Sequence, residues 1–76
     1  MHVNITLHGI LRDSLPRQAK GRATLNLPEA ATINDIIARL NIKQTVSAVV
    51  NGAEVENDHR LQNGDELHMF RLIAGG

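Results

Sequence analysis

Only one stretch of this chain has a helical period. In TINDIIARL, residues 32–40, the apolar positions Ile33, Ile36, Ile37 and Leu40 fall at i, i+3, i+4 and i+7 and make a single stripe. Thr32 can cap the start of that helix, with Asp35 three positions on as the acid of a capping box. A helix of about two to three turns is too short to be stable alone in water, so its stripe must be buried against something else. With no second helix in the sequence, the partner must be a sheet.

The remainder is written in alternation. HVNITLH places Val3, Ile5 and Leu7 on one face and His2, Asn4, Thr6 and His8 on the other, the pattern of a half-buried strand. ATLNL repeats it through Ala23, Leu25 and Leu27 before Pro28 interrupts, and these two strands are expected to pair antiparallel across a long polar loop carrying Pro16 and Gly21. VSAVVNGAEVE reads as a strand, an Asn51-Gly52 turn and a short second strand, because Asn and Gly both tolerate the positive φ that a tight hairpin needs. Asn63-Gly64-Asp65 marks another turn, and ELHMFRLI is the final strand. The order strand, strand, helix, strand, short strand, strand predicts an α+β fold. It is that of a β-grasp, the ubiquitin-like roll: a mixed sheet of about five strands with one main helix on one face. In that roll the last strand runs centrally, parallel to the first, and points its C-terminal end into solvent. The chain reads as a single domain, 1–76, ending in a flexible diglycine tail over 72–76.

Composition narrows the function. A chain of 76 residues has room for one modest core and little for an elaborate cleft. Eight Lys and Arg balance eight Asp and Glu, so no global field attracts nucleic acid or an anionic membrane. With one aromatic residue, the stacking platform of a single-strand binder is also missing. The charges are nevertheless unevenly placed. RDSLPRQAKGR, residues 12–22, holds Arg12, Arg17, Lys20 and Arg22 against Asp13, whereas the chain from Glu29 onward is acidic. A run of this kind is ordinarily a solvated loop. The absence of cysteine excludes a disulfide framework and an internal thiol nucleophile. No apolar run is long enough to span a membrane and no signal-peptide pattern opens the chain, so a cytoplasmic protein is expected.

Four histidines raise the possibility of a metal site, and His2, His8 and His68 share an expected face. Six residues along a strand separate His2 from His8 by about 20 Å, far beyond common coordination, so no metal is expected and each His reads as a solvent-facing polar residue.

The pieces together resemble the MoaD/ThiS group of ubiquitin-like sulfur carriers, over essentially the whole chain. LRDSL after the first strand resembles a turn of the MoaD branch, and LPEAATINDIIARL resembles the family's entry from strand to helix. AVVNGAEVENDHRLQNGDEL resembles the stretch in which Val-Asn-Gly ends one strand and a Gly-Asp turn begins the last. The terminal Gly75-Gly76 completes the pattern; such a pair ends roughly 0.5% of chains by chance, given about 7% glycine on average. Arg71-Leu72-Ile73-Ala74 departs from MoaD-branch tails that carry proline before the diglycine, and the compact link from Leu40 to Val46 is closer to the ThiS branch.

The resemblance implies a carrier rather than an enzyme, with no bound cofactor and no catalytic residues of its own. It implies that an adenylyltransferase related to ubiquitin-activating enzymes, using ATP and Mg²⁺, activates the carboxylate of Gly76. A sulfur donor such as a cysteine desulfurase or rhodanese then converts it to a thiocarboxylate. Gly75 allows the backbone to enter a narrow channel, since glycine has no Cβ. Five residues from Leu72 reach roughly 16 Å at about 3.3 Å each. The acceptor would be a molybdopterin synthase large subunit or a thiazole synthase, the first being favoured here; the other class is a ubiquitin-like interaction module that ignores the tail. Strand parity turns Leu67 and Met69 toward the helix with Val46, Ala48 and Val50, and leaves Phe70, Leu72 and Val49 outside. These three, continued by Ile73 and Ala74, are the expected partner-binding residues, although a register slip of one would move Phe70 into the core.

Overall fold

The computed structural model describes residues 1–72. It contains five strands and one α-helix: β1 (His2–Leu7), β2 (Arg22–Asn26), α1 (Ile33–Arg39), β3 (Val46–Val50), β4 (Ala53–Val55) and β5 (Glu66–Arg71). The strands form one mixed sheet in the order β2-β1-β5-β3-β4. β5 is central, parallel to β1 and antiparallel to β3, while β2 and β4 pair antiparallel on the outside. This is the ubiquitin-like β-grasp expected from the order of elements.

The helix starts as its capping residues dictate. The Thr32 hydroxyl accepts from the Asp35 amide at 3.3 Å, and an Asp35 carboxylate oxygen accepts from the Thr32 amide at 2.8 Å. Two amides that the first turn leaves without helical partners are thereby satisfied. Ile33 and Ile36 are fully buried, Ile37 partly, and the helix ends one residue early with Leu40 as its C-terminal cap. The stripe packs in one core with Val3, Ile5, Leu7, Val46, Ala48, Val50, Leu67 and Met69, which all lie on the helix-facing side of the sheet.

Polar groups lock the end of the sheet remote from the C-terminus. Asn51 and Gly52 have φ of 50° and 87°, the left-handed pair that a two-residue hairpin requires. Asn51 does more than turn the chain. Its Nδ2 donates to an Asp65 carboxylate oxygen at 3.0 Å, and its Oδ1 accepts from the Glu66 amide at 2.9 Å. The other Asp65 oxygen accepts from the Gln62 amide at 2.8 Å, so this buried carboxylate is held on both sides. The Asn-Gly and Gly-Asp turns are thus two halves of one lock, joining β3 to the start of β5.

The connection from β1 to β2 differs from the polar loop read in the sequence. It folds into two 3-10 segments, Gly9–Ser14 and Arg17–Ala19, and drives Leu11 completely into the core. Gly21 closes it back onto β1: its carbonyl accepts from the Leu7 amide at 2.7 Å. At a φ of 79°, a Cβ there would stand 2.6 Å from the Leu7 carbonyl oxygen, so only glycine fits. Among the described residues, no helix is long and apolar enough to cross a membrane.

Candidate functional site

The helix covers one side of the sheet, and the alternate residues of the same strands form the other. There Thr6 pairs with His68, His68 with Val49, and Val49 with Glu54, a row running from β1 to β4. Phe70 pairs with Ser47 one step further along β5. Phe70 is therefore outside the core, on the face that parity assigned to it, and Val49 is half-buried beside it.

Three large apolar side chains are exposed among the described residues: Phe70 at 38%, Leu72 at 50% and Ile10 at 47%. All three belong to one end of the molecule. β1 and β5 are parallel, so the Gly9–Ser14 segment that follows β1 lies at the end where β5 finishes. The Leu72 amide donates to the Thr45 carbonyl at 2.8 Å, so the tail expected from position 72 keeps one backbone bond at its first residue. Ile73, Ala74, Gly75 and Gly76 lie outside the described residues.

The centre of the exposed patch is not a lone aromatic. The His8 ring stacks on Phe70 with centroids 4.3 Å apart and planes 7° from parallel. His8 Nε2 lies 2.9 Å from His68 Nδ1, so one nitrogen donates to the other. The His8 amide donates to the Met69 carbonyl at 3.0 Å, which carries the β1–β5 ladder one residue past the strand and fixes the ring over Phe70. His8 and His68 are half-buried and paired, and His59 is half-buried too, which corrects the reading of each as a solvent-facing residue; of the four, His2 alone is exposed. Burial, and then the neighbouring charges of His68, Arg12 and Arg22, hold the His8 imidazole below the ordinary histidine pKa of 6.5. The pair supplies two imidazoles, and no group of three or more His, Cys, Asp or Glu side chains is placed to hold a metal among the described residues.

Further along this face, Thr24 donates to Asn4 Oδ1 at 2.7 Å and Asn4 Nδ2 donates to Glu66 Oε1 at 3.0 Å. The polar rows near the lock are satisfied among themselves, while the apolar surface gathers near the tail. Sequence reasoning placed Phe70, Leu72 and Val49 outside the core, as the structure does, but did not anticipate the exposed Ile10 or the pairing of His8 with His68. The shared face of the two histidines was legible. Their pairing needed the parallel β1–β5 register, which sequence does not number.

The fold and its arrangement define a ubiquitin-like β-grasp protein whose exposed large apolar side chains gather at the end where β5 finishes. Residues 14–76 match the ThiS family, and the chain belongs to that family of ubiquitin-like sulfur carriers, within the wider ThiS/MoaD group. Its members are small carrier proteins rather than catalysts. No curated protein matches it in sequence. Among solved structures, a candidate molybdopterin converting factor subunit 1 from Pyrococcus furiosus is similar at 21% identity and a TM-score of 0.76, over 96% of this chain and 99% of that one. Small archaeal modifier protein 1 of Haloferax volcanii is similar at 16% identity and a TM-score of 0.73, over 95% and 98%. A complex of subunits 1 and 2 of molybdopterin-converting factor from Helicobacter pylori contains a chain 14% identical with a TM-score of 0.62, over 100% of both. At these identities the neighbours establish the shared fold.

Proposed function

We propose that this protein carries sulfur on its C-terminal glycine for the synthesis of a sulfur-containing cofactor, as the small subunit of a molybdopterin-synthase-type pair. The observation that carries this reading is the family match, which runs through Gly75 and Gly76 on a β-grasp domain. In the proposed cycle a Gly76 carboxylate oxygen attacks the α-phosphorus of ATP and pyrophosphate leaves. The acyl adenylate so formed is an electrophile that the free carboxylate is not. A persulfide sulfur on the donor attacks the acyl carbon and expels AMP, and reduction of the resulting S–S bond by a thiol releases the thiocarboxylate. ATP and Mg²⁺ are used by the partner adenylyltransferase, and this chain contributes position.

Position is what the fold supplies. Thr45 ties Leu72, leaving four residues that can span at most about 13 Å into a partner. The patch of Phe70, Leu72 and Val49, together with Ile10 and the His8 ring, is proposed as the surface on which activating enzyme and acceptor dock in turn, with Ile73 and Ala74 entering the partner beside the glycines. A subunit 1 neighbour found in complex with subunit 2 supports a synthase large subunit as acceptor. The ThiS family match supports a second reading, in which a thiazole synthase takes the sulfur.

The test is the intact mass after incubation with ATP, Mg²⁺, a cognate adenylyltransferase and a sulfur donor. The protein should gain the mass difference between sulfur and oxygen, localised to Gly76. A form ending at Gly75 moves the acyl group back by about 3.3 Å, and misplacement of about 1 Å can already cost on the order of 10²-fold, so loading should be lost. Normal loading of that form would remove the carrier reading and leave an interaction module that does not use its tail.

A further inference from the structure

The end of the molecule from which the tail departs is electrically divided. On the β1–β2 side, the two 3-10 segments border an open depression of about 420 Å³ lined by Arg12, Arg17 and Lys20, with Asp13 as the one acid and with Gly9 and Gly21 also in its lining. Arg22 follows directly and lies across from Thr6 on the outer face of the sheet. All four cations are exposed. On the β4 side, Glu54 and Glu56 line a second depression of about 440 Å³ that also includes Leu72, Thr45 and Ser47. Between the two flanks lie His8 and Phe70, with Leu72 at the edge of the acidic one.

A solvated loop does not need this placement. Gly21 cannot carry a Cβ, and Leu11 is fully buried, so the backbone that presents Arg12, Arg17 and Lys20 is anchored at both ends of the segment. The Arg12 stem passes over Gly21, where a Cβ would stand 2.8 Å from its Cγ. The depression is continuous with the apolar patch through Gly9, the residue after His8. Four cations against one acid, held on rigid backbone beside an apolar surface, form a field that a complementary protein surface can read at a distance.

We propose that this basic depression is the second half of the docking surface and seats an acidic surface of the adenylyltransferase that takes the tail. The inference rests on the carrier reading above. The apolar patch supplies the lasting contact, while the basic flank steers encounter and, with Glu54 and Glu56 opposite, fixes the rotation of the domain about its tail. A domain held only by an apolar patch and its last few residues could approach in several rotations. The charge division leaves one.

The probe is the adenylyltransferase that supports Gly76-dependent exchange of pyrophosphate into ATP with the wild-type chain, and the readout is its association rate by stopped flow. R17E/K20E should slow association about 10-fold and R12E/R17E/K20E about 100-fold at low salt, with little change in dissociation, as expected of steering. The differences should shrink to within about 2-fold at 1 M salt, where charges are screened beyond roughly 3 Å. R17E/K20E avoids the Arg12 stem that packs on Gly21, so a folding defect confined to the triple variant leaves the test intact. Equal low-salt rates for wild type and R17E/K20E would overturn the inference while leaving sulfur loading in place. Absence of exchange by the wild-type chain would overturn the carrier reading and this inference with it. Binding of a single-stranded oligonucleotide more tightly than the enzyme, lost in R17E/K20E, would reassign the flank to nucleic acid.

Discussion

The two faces of the central strand β5 are made by neighbouring residues and obey different rules. Leu67 and Met69 are fully buried against the helix, while His68 and Phe70, one position away, remain half-buried or exposed. The inner face is apolar throughout, and each of its residues is replaceable only by something of similar shape. The outer face mixes an aromatic, two imidazoles and a valine with Thr, Asn, Ser and Glu, and its composition makes no sense as a core. With the docking role proposed above, stability and binding fall to alternate residues of the same strands. Changes on one face should move one property and spare the other.

The largest expected effect lies inside. Ile36→Ala removes buried methyl and methylene groups from the centre of the core and should cost about 2–4 kcal/mol in denaturant melts, through lost transfer energy and the cavity left behind. No measurable cost would mean that the helix does not carry the core, and the division between faces would fail at its foundation.

Asn51 tests whether polar residues also specify the fold. Asn51→Ala removes both side-chain bonds to the Asp65–Glu66 turn and puts a Cβ-only residue at a φ of 50°; a loss of about 1–3 kcal/mol is expected. Asn51→Gly relieves the backbone but not the lost bonds. If thermal melts of the two variants coincide, the hydrogen bonds rather than the turn conformation dominate. If Asn51→Gly restores wild-type stability, the lock is only a turn.

Much of this division is legible in the amino-acid sequence. Period-2 alternation names the inner residues once the register is known, and Asn51-Gly52 pins that register at one end of β3. Thr32 and Asp35 mark the helix start correctly because a capping box is local chemistry. The segment from Gly9 to Gly21 is not legible, since 3-10 turns leave no period in the sequence. Of the adjacent Ile10 and Leu11, one is exposed and the other fully buried, and nothing in their order says which. The His8–His68 pair escapes for another reason: it joins residues 60 apart through a parallel register. The site is therefore half readable, and the missing half is the part assembled by tertiary structure.

Phe70→Ala turns the comparison round. Truncating an exposed ring should cost on the order of 1–3 kcal/mol of partner binding, measured by calorimetry with the activating enzyme, because large aromatics at the centre of an interface carry much of its energy. Stability should change by less than about 1 kcal/mol, since the ring's stacking partner is itself half-buried. A variant that melts early yet binds normally would place Phe70 with the inner face in function, whatever its exposure.

The smallest effect expected is on pH, and it asks whether the outer face contributes to stability at all. Burial, His68, Arg12 and Arg22 together disfavour the charged form of His8 in the folded state, so its folded pKa lies below the 6.5 it takes when unfolded. As pH falls from above 6.5 toward that lowered value, the unfolded chain takes up the proton first and stability declines; below it both states are protonated and the decline ends. The sign is opposite to that of a histidine gaining an acidic partner. The geometry gives the same direction, because a bond 2.9 Å long between two imidazoles needs one nitrogen without a proton, and a doubly charged pair cannot make it. His8→Gln keeps a polar side chain without a titrating group, so its stability should vary less with pH between about 7 and 5 than that of the wild type, a range that straddles the unfolded histidine pKa. Parallel pH profiles for the two proteins would show that the pair sits on the sheet without being coupled to folding. A steeper wild-type profile would show that the outer face, besides its proposed role in contact, is part of the folded state's titration.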